Sequence, residues 1–393
     1  GTKRVAGGDG ADKITLGTGD HTVFGDNGYV TYVAIGKAGA GNALTYATTD
    51  TVPSTGGDDI ITVGDGNNTI LGGMGLDRIT TGNGMDTLLG DNGIVQMEAT
   101  GTLFLTIEST VTLEGANDVV IAGNGDKTVI GGTADDSISV GTGTHTLFGD
   151  NGAMLYGPNG LRKEMSTTEV LQGGNDSITA IGGDTIVLAG LGSDTVTTGA
   201  GSDVMLGDNG YVILDSQGRL SHIETTVPRA GGADILSSGQ GNDALLGGFG
   251  ADSLLGDDGN DAIIGDLGRI LYVNGLVNII ETIDPFIGTA DYMDGGAGSD
   301  VLFGGDGDDI MVGNLNDDVL VGDYAAIDVN SQGRVVSLIR FGTGSDLIAR
   351  VQEAIFSYTR PSDGATVVVQ VFRTASGSSG LPGATFVEEM RLR

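Results

Sequence analysis

The sequence predicts an all-β solenoid in which very short strands alternate with glycine-rich turns. Three observations lead to this class: a nine-residue period, an apolar residue at one fixed position of every repeat, and glycines and aspartates at other fixed positions. The chain has 393 residues, of which 73 are glycine and 39% are hydrophobic. Disordered acidic chains are poor in Ile, Val and Leu, so this composition argues against disorder. The absence of a strict three-residue glycine period excludes a collagen-like helix.

Each nonamer carries glycine at positions 1, 2 and 4, aspartate at position 6 and an apolar residue at position 8. GGMGLDRIT from Gly72, GGFGADSLL from Gly247 and GGAGSDVLF from Gly295 are examples among 22 nonamers. Glycine at this density disfavours helix. Positions 7 to 9 therefore predict a three-residue strand with position 8 facing inward. Two nonamers make one turn of a flattened coil, so each nonamer stacks on the one two repeats later.

In this tandem form the sequence resembles the hemolysin-type, or repeats-in-toxin (RTX), calcium-binding nonapeptide repeats. The resemblance covers about residues 5–325, apart from insertions, and implies a parallel β-roll that binds several Ca²⁺ ions. The implied ligands are backbone carbonyls of the turns and the position-6 aspartates, which are Asp12, Asp59, Asp77, Asp86, Asp118, Asp136, Asp176, Asp194, Asp203, Asp234, Asp243, Asp252, Asp261, Asp291, Asp300, Asp309 and Asp318. Physical chemistry agrees, because carboxylates stacked at strand spacing repel one another without a cation. For any single aspartate, the alternative is a simple turn residue.

A longer period of 57–65 residues is marked by the tetrad GDNG and its variants, each followed by an insertion of about 20 residues. The insertions alternate apolar and polar residues around a polar turn, which predicts β-hairpins. The tetrad aspartates are either further calcium ligands or turn residues bonded to their own backbone; they are Asp26, Asp91, Asp150, Asp208, Asp266 and Asp323. Three glutamates lie where the insertions return to the roll, and they are either additional calcium ligands or exposed strand residues. They are Glu108, Glu224 and Glu281.

The two faces and the two edges of the coil differ. Position 9 is apolar throughout the second and fourth nonamers of each unit, but mostly polar in the first and third. One sheet therefore has an outer apolar face too large to stay bare. We expect the hairpins to cover it, with contact to another chain as the alternative. Aspartate is continuous on one edge, whereas we expect the calcium column of the other edge to be lost at Lys127 and His145.

The remaining composition excludes several function classes. A net charge of −34 argues against nucleic acid and anionic membranes as partners. No apolar run is long enough for a membrane span, and the chain has no cysteine. It lacks the HExxH and GxSxG motifs, and its carboxylates recur at structural spacing, so no catalytic pair stands out. Position 3 lacks the regular Thr/Asn array of an ice-binding face. We expect no enzyme activity.

After the repeats the composition changes, which predicts two domains: a β-roll of six units at 1–325 and a small antiparallel β module at 326–393. The expected strands of the module are Glu353–Arg360, Thr366–Arg373 and Thr385–Arg393. Residues 334–393 carry seven arginines and five acids, a charge of +2, against −36 for the rest. The module is either a cap or a docking surface for the acidic start of another copy, which would give head-to-tail assembly.

These features predict an extracellular, calcium-binding structural protein that folds on binding Ca²⁺ and assembles into a filament, surface layer or matrix fibre. The alternatives are a calcium-stabilised stalk of a large adhesin or toxin, and the secretion domain of a hydrolase. The resemblance implies one-step (type I) bacterial secretion and an extracellular or cell-surface location. The chain begins part-way through a unit, so we expect a piece of a longer repeat protein, or a start completed by another copy.

Overall fold

The computed structural model describes residues 1–33, 42–52, 55–284, 287–322, 324–330, 335–339, 350–359, 366–374 and 386–392. Every regular element within these ranges is a β-strand, and the strands form four sheets. The all-β class and the parallel coil are therefore confirmed. Strands are numbered below in chain order.

Two parallel sheets form the roll. The first, here called the covered sheet, contains β1 (Arg4–Ala6), β3 (Thr22–Phe24), β7 (Thr69–Leu71), β9 (Asp86–Leu89), β13 (Lys127–Ile130), β15 (His145–Phe148), β19 (Thr185–Leu188), β21 (Val204–Leu206), β25 (Ala244–Leu246), β27 (Ala262–Ile264), β31 (Val301–Phe303) and β33 (Val319–Val321). The second, the open sheet, contains β2 (Lys13–Thr15), β6 (Ile60–Thr62), β8 (Arg78–Thr81), β12 (Val119–Ala122), β14 (Ser137–Thr142), β18 (Ser177–Gly182), β20 (Thr195–Thr197), β24 (Ile235–Ser237), β26 (Ser253–Leu255), β30 (Tyr292–Asp294) and β32 (Ile310–Val312).

The insertions form a third, antiparallel layer, the hairpin sheet. Its strands are β4 (Gly28–Tyr32), β5 (Ala43–Thr48), β10 (Gly93–Met97), β11 (Phe104–Ser109), β16 (Gly152–Tyr156), β17 (Arg162–Thr167), β22 (Gly210–Leu214), β23 (Leu220–Thr225), β28 (Gly268–Val273), β29 (Leu276–Thr282), β34 (Ala326–Val329) and β35 (Val335–Ile339). The C-terminal sheet contains β36 (Arg350–Thr359), β37 (Thr366–Thr374) and β38 (Phe386–Leu392).

The stacking of each nonamer on the one two repeats later is confirmed by the strand register. In the open sheet, Ile61 pairs with Ile79, and Ile79 pairs with Val120. In the covered sheet, Ile70 pairs with Leu88. All of these occupy position 8 and are almost completely buried. Position 8 therefore forms a narrow apolar core between the two parallel sheets.

A second core lies between the covered sheet and the hairpin sheet. The apolar position-9 side chains of the covered sheet pack there, among them Phe24, Leu71 and Phe148. Val95 and Ile107 of the hairpin sheet belong to the same cluster. The expectation that the hairpins cover the apolar face within one chain is thus correct. In contrast, the outer face of the open sheet is uncovered and mixed in character, because Thr15 is exposed there and so are Ile60 and Ile310.

Successive hairpins also pair with one another along the roll. The return strand of each hairpin bonds to the outgoing strand of the next, as β11 does to β16 and β17 to β22. This pairing turns separate insertions into one continuous sheet, which was not expected from the sequence. β34 and β35 join this sheet through β29 and not the C-terminal sheet. The proposed domain boundary after residue 325 stays a prediction.

The three strands of the C-terminal sheet are antiparallel, as expected. The backbone of β38 lies next to β33, the last strand of the covered sheet. The predicted turn at residues 361–364 lies outside the described residues. Within the part of the chain that the structure describes, no helix is long and apolar enough to cross a membrane.

The second core yields a test with a matched pair of leucines. Leu206 is completely buried between the covered and hairpin sheets, whereas Leu171 is 69% exposed. We expect Leu206→Ala to lower the free energy of unfolding in saturating calcium by about 2–5 kcal/mol, because it leaves a cavity. Leu171→Ala should change it by less than about 0.5 kcal/mol. Urea titration followed by circular dichroism measures both. Equal effects would contradict the two-core description.

Candidate calcium sites on the two edges of the roll

The first edge of the roll carries an unbroken ladder of aspartates. It lies where the chain passes from the covered sheet to the open sheet. In each step, the backbone N–H of one aspartate donates to Oδ1 of the aspartate one turn further on, over 2.6–3.0 Å. The first edge comprises Asp12, Asp59, Asp77, Asp118, Asp136, Asp176, Asp194, Asp234, Asp252, Asp291 and Asp309.

In ten of these residues the second carboxylate oxygen is buried and has no hydrogen-bond partner within the protein. The Oδ2 atoms that are buried without a hydrogen bond belong to Asp12, Asp59, Asp77, Asp118, Asp136, Asp176, Asp194, Asp234, Asp252 and Asp291. Burying an unpaired carboxylate costs several kilocalories per mole. A column of such oxygens, repeated turn after turn, therefore requires positive charge from outside the chain or protonation.

Backbone carbonyl oxygens of the glycine turns lie beside these free carboxylate oxygens. A Cβ added to Gly131 would lie 2.2 Å from the Gly149 carbonyl oxygen and 2.4 Å from Asp136 Oδ2. One added to Gly149 would lie 2.2 Å from Asp176 Oδ2 and 2.5 Å from the Ala189 carbonyl oxygen. Gly131 at position 1 of a nonamer and Gly149 at the start of a tetrad thus each keep open a space lined by a carboxylate and by a carbonyl of a neighbouring winding.

This donor set fits calcium. Ca²⁺ takes six to eight oxygen ligands, and it accepts carboxylates and carbonyls in flexible geometry. Within the described residues, no three acidic or imidazole side chains gather closely enough to hold a metal by themselves. Any site here must therefore combine carboxylates with backbone carbonyls. The assignment of the individual ladder aspartates as ligands stays a prediction that this geometry supports.

Burial raises the pKa values of the nine first-edge carboxyl groups from Asp59 to Asp291. Desolvation is the main cause, and it raises the pKa of Asp59 to about 6, of Asp194 to about 7 and of Asp176 to about 8. The neighbouring Asp194 carboxylate raises the pKa of Asp176 further. Without metal, these groups hold protons at neutral pH more readily than free aspartate does.

The second edge lies where the chain passes from the open sheet to the covered sheet, and it is divided into two parts. Its ladder positions are His21, Asn68, Asp86, Lys127, His145, Thr185, Asp203, Asp243, Asp261, Asp300 and Asp318. From Asp203 onward, N–H to Oδ1 bonds of 2.7–3.2 Å repeat the first-edge pattern. Before Asp203 in the sequence this pattern is interrupted at Asp86. Its N–H donates to the Asp126 carbonyl, because the Lys127 side chain offers no acceptor.

The tetrad aspartates accept hydrogen bonds from the following unit and not from their own turn. Asp26 Oδ2 accepts the N–H of Met74 over 2.6 Å, and Asp91 Oδ2 accepts that of Thr133 over 2.7 Å. Gly73, with φ of 123°, leaves room for this contact, since an added Cβ would lie 2.4 Å from Asp26 Oδ2. The expectation of a bond to their own backbone is therefore wrong for these two.

The other described tetrad carboxylates follow the same pattern. Asp150, Asp208 and Asp266 each accept N–H groups from two later turns, Asp150 from Gly174 and Leu191, for instance. Asp323 lies outside the described residues. Whether this set also ligates calcium stays a prediction.

The three glutamates lie on the hairpin sheet. Glu224 contacts His222 over 2.8 Å and lies 4.0 Å from Arg269, and Glu281 pairs with the same Arg269. Glu224 therefore has a basic partner on its own strand and another on the adjacent strand, and Glu281 has one on the adjacent strand. Their role as additional calcium ligands stays a prediction. Glu108 is an exposed strand residue.

The geometry defines a class of protein: a parallel β-roll whose glycine turns present columns of carboxylates and carbonyls to cations. A family model that describes four copies of the RTX calcium-binding nonapeptide repeat matches seven segments of the chain. They are residues 4–31, 53–93, 114–147, 179–214, 230–245, 237–269 and 288–320. These segments cover just over half of the chain, which therefore belongs to the family of RTX calcium-binding repeat proteins. A comparison with curated proteins found no match.

Asp176 offers a test of the first edge. Asp176→Asn keeps the Oδ1 acceptor for Asp136 N–H but removes the charge of the free oxygen. We expect weaker calcium binding, by roughly tenfold or more at one site, since a charged ligand is lost. The metal-free roll should become more stable, because a buried charge disappears. Isothermal titration measures the binding. Urea unfolding without metal at about pH 6, where the raised pKa values leave much of the ladder protonated, measures the stability. Asp308→Asn, next to the ladder but exposed, is the control; an equal response of both variants would contradict the assignment.

The raised pKa values predict the pH dependence of the metal-free roll. The roll holds more protons than the unfolded chain, whose aspartates titrate near 3.9, at about pH 4 to 8. Its stability should therefore fall as pH rises through this window. In saturating calcium the dependence should be much flatter, because the ion replaces the protons. Urea unfolding at several pH values in calcium-stripped and calcium-saturated buffer tests this. A metal-free stability that rises with pH would refute it.

Proposed function

We propose that this protein is an extracellular structural protein without catalytic activity, in which Ca²⁺ converts an acidic, unfolded chain into a rigid β-roll. The rods then assemble head-to-tail into a filament, surface layer or matrix fibre. The observation that carries this proposal is the column of ten buried, unpartnered carboxylate oxygens on the first edge. Repeats of this family are typical of secreted bacterial proteins, which supports the extracellular location.

Calcium acts as the folding switch because the roll cannot bury its ladder without it at neutral pH. The chain carries a net charge of −34, and each three-residue strand adds only one position-8 side chain to the inner core. Binding free energy therefore becomes folding free energy. Extracellular calcium-binding modules have affinities of about 10⁻⁴–10⁻³ M, which matches calcium outside cells and not inside them.

The distribution of charge supports the assembly step. The charge contrast between residues 334–393 and the rest of the chain favours contact between opposite ends of two copies.

The second candidate function is a calcium-stabilised spacer in a large adhesin or toxin. One observation favours it: the backbone of β38 lies against β33, the last strand of the covered sheet. If the C-terminal sheet covers this end, growth by stacking stops there, and the roll acts as an isolated rod.

A titration with a matched ion tests the folding switch. At pH 7.5 in calcium-stripped buffer, we expect the circular dichroism spectrum of an unfolded chain, and a β-sheet spectrum after addition of about 5 mM CaCl₂. Equal MgCl₂ controls for ionic screening and should not restore the β-sheet, because Mg²⁺ demands a rigid octahedral site. Equal β-sheet content with and without calcium would refute the switch. Electron microscopy of the calcium form then separates fibres from single rods.

A further inference from the structure

Five ladder positions of the second edge carry a hydrogen-bond donor in place of aspartate. In each case the side chain reaches a turn carbonyl oxygen, the type of atom that would ligate calcium in an aspartate turn. The contacts are His21 Nε2 to Gly17 O (2.7 Å), Asn68 Nδ2 to Gly66 O (3.1 Å), Lys127 Nζ to Gly84 O (2.5 Å), His145 Nε2 to Gly141 O (3.1 Å) and Thr185 Oγ1 to Gly183 O (3.0 Å).

Each histidine makes two contacts: it accepts the backbone N–H that an aspartate would accept, and it bonds the turn carbonyl that a calcium ion would bind. Nδ1 of His145 accepts the backbone N–H of Lys127 over 3.2 Å, as aspartate Oδ1 does elsewhere. With Nδ1 acting as acceptor, Nε2 carries the proton and donates to the Gly141 carbonyl. His21 repeats this arrangement with Lys3 N–H. One neutral ring thus continues the ladder and satisfies the carbonyl.

Lys127 comes closest to a bound cation. Its ammonium lies 2.9 Å from Asp86 Oδ2, and both side chains are completely buried. It also donates to the carbonyls of Gly84 and Asn124, which belong to two successive windings. A carboxylate oxygen and two turn carbonyls are the same kinds of ligand that the aspartate turns offer to calcium. Thr81 Oγ1 donates to Asp86 Oδ2 as well, over 2.8 Å.

Position 1 of the repeat also differs between the donor turns and the aspartate turns of this edge. At the aspartate turns it is glycine or a hydroxyl residue, and Thr81, Thr198 and Ser238 precede Asp86, Asp203 and Asp243. In the last three turns of the second edge it is glycine, and a Cβ on Gly256, Gly295 or Gly313 would lie 2.4–2.5 Å from Oδ2 of the aspartate five residues later. In the five donor turns it is always apolar, and the residues are Leu16, Val63, Ala122, Val140 and Ala180. All except Leu16 belong to the buried inner core.

The donor turns therefore differ from the aspartate turns in two features that disfavour calcium: an apolar side chain at position 1 and a hydrogen-bond donor at position 6. The position-1 side chain fills the space that glycine leaves open, and the position-6 donor bonds the carbonyl. We propose that protein side chains replace the ions permanently at the five donor turns, so that calcium on the second edge is confined to the turns from Asp203 onward. At its own turn, the Lys127 ammonium is the counter-ion of the Asp86 carboxylate. This inference rests on the proposed calcium-dependent folding and adds where the ions bind.

A variant that restores the repeat sequence at one turn tests the inference. Ala122→Gly combined with Lys127→Asp in the full chain should bind one Ca²⁺ more than the wild type, counted by native mass spectrometry in CaCl₂. Its melting temperature should also respond more steeply to calcium. Lys163→Asp, at an exposed hairpin position, is the control for the charge change and should bind the wild-type number. A folded double variant with the wild-type number of ions would overturn the inference.

A crystal structure of the wild-type protein grown in CaCl₂ decides the question even if the double variant does not fold. Anomalous scattering should show ions on the first edge and beside Asp261 and Asp300, and none at the five donor turns. Ions at those five turns would overturn this inference alone. A structure with no ion on either edge would overturn the proposed calcium-dependent function, and this inference with it.

Discussion

The whole roll depends on how each turn neutralises a buried carboxylate. Strand stacking places one ladder residue of each edge directly above the next, and the short sheets leave no alternative position for the side chain. Oδ1 is satisfied by the backbone, whereas Oδ2 of Asp77 or Asp118 is buried without a partner. Since an unpaired buried charge is costly, the fold is stable only when protons, metal ions or basic side chains meet this demand.

The protein meets it differently on its two edges. On the first edge, open glycine positions and carbonyl oxygens prepare the turns for calcium. On the second edge, Lys127 brings its own positive charge to Asp86, and neutral donors such as His145 and Thr185 remove the carboxylate altogether. Under our proposal, calcium dependence therefore differs from turn to turn along the repeat.

The hairpin sheet stabilises the roll through apolar burial and not through charge. The inner core between the two parallel sheets is only one side chain deep, so it stabilises the roll weakly for its length. The hairpins add a second core along one face, where Phe148 and Phe303 are completely buried. The tetrad aspartates connect the hairpins to the roll. Asp150 lies where the chain leaves the roll to form a hairpin, and it accepts N–H groups from the next unit.

Glycine, aspartate and an apolar residue recur at fixed positions and leave one way to stack, so the pattern alone predicts the coil, its register and the positions of both ladders. It also indicated the covered face, through position 9. The tertiary structure decided which atoms meet across windings: Lys127 with Asp86, Asp26 with Met74, and each hairpin with the next. These contacts join residues about 40 to 50 positions apart. Their partners depend on side-chain reach and strand edges, which a local pattern does not specify. The paired change at positions 1 and 6 was present in the sequence, but its meaning required seeing that the two positions face the same space.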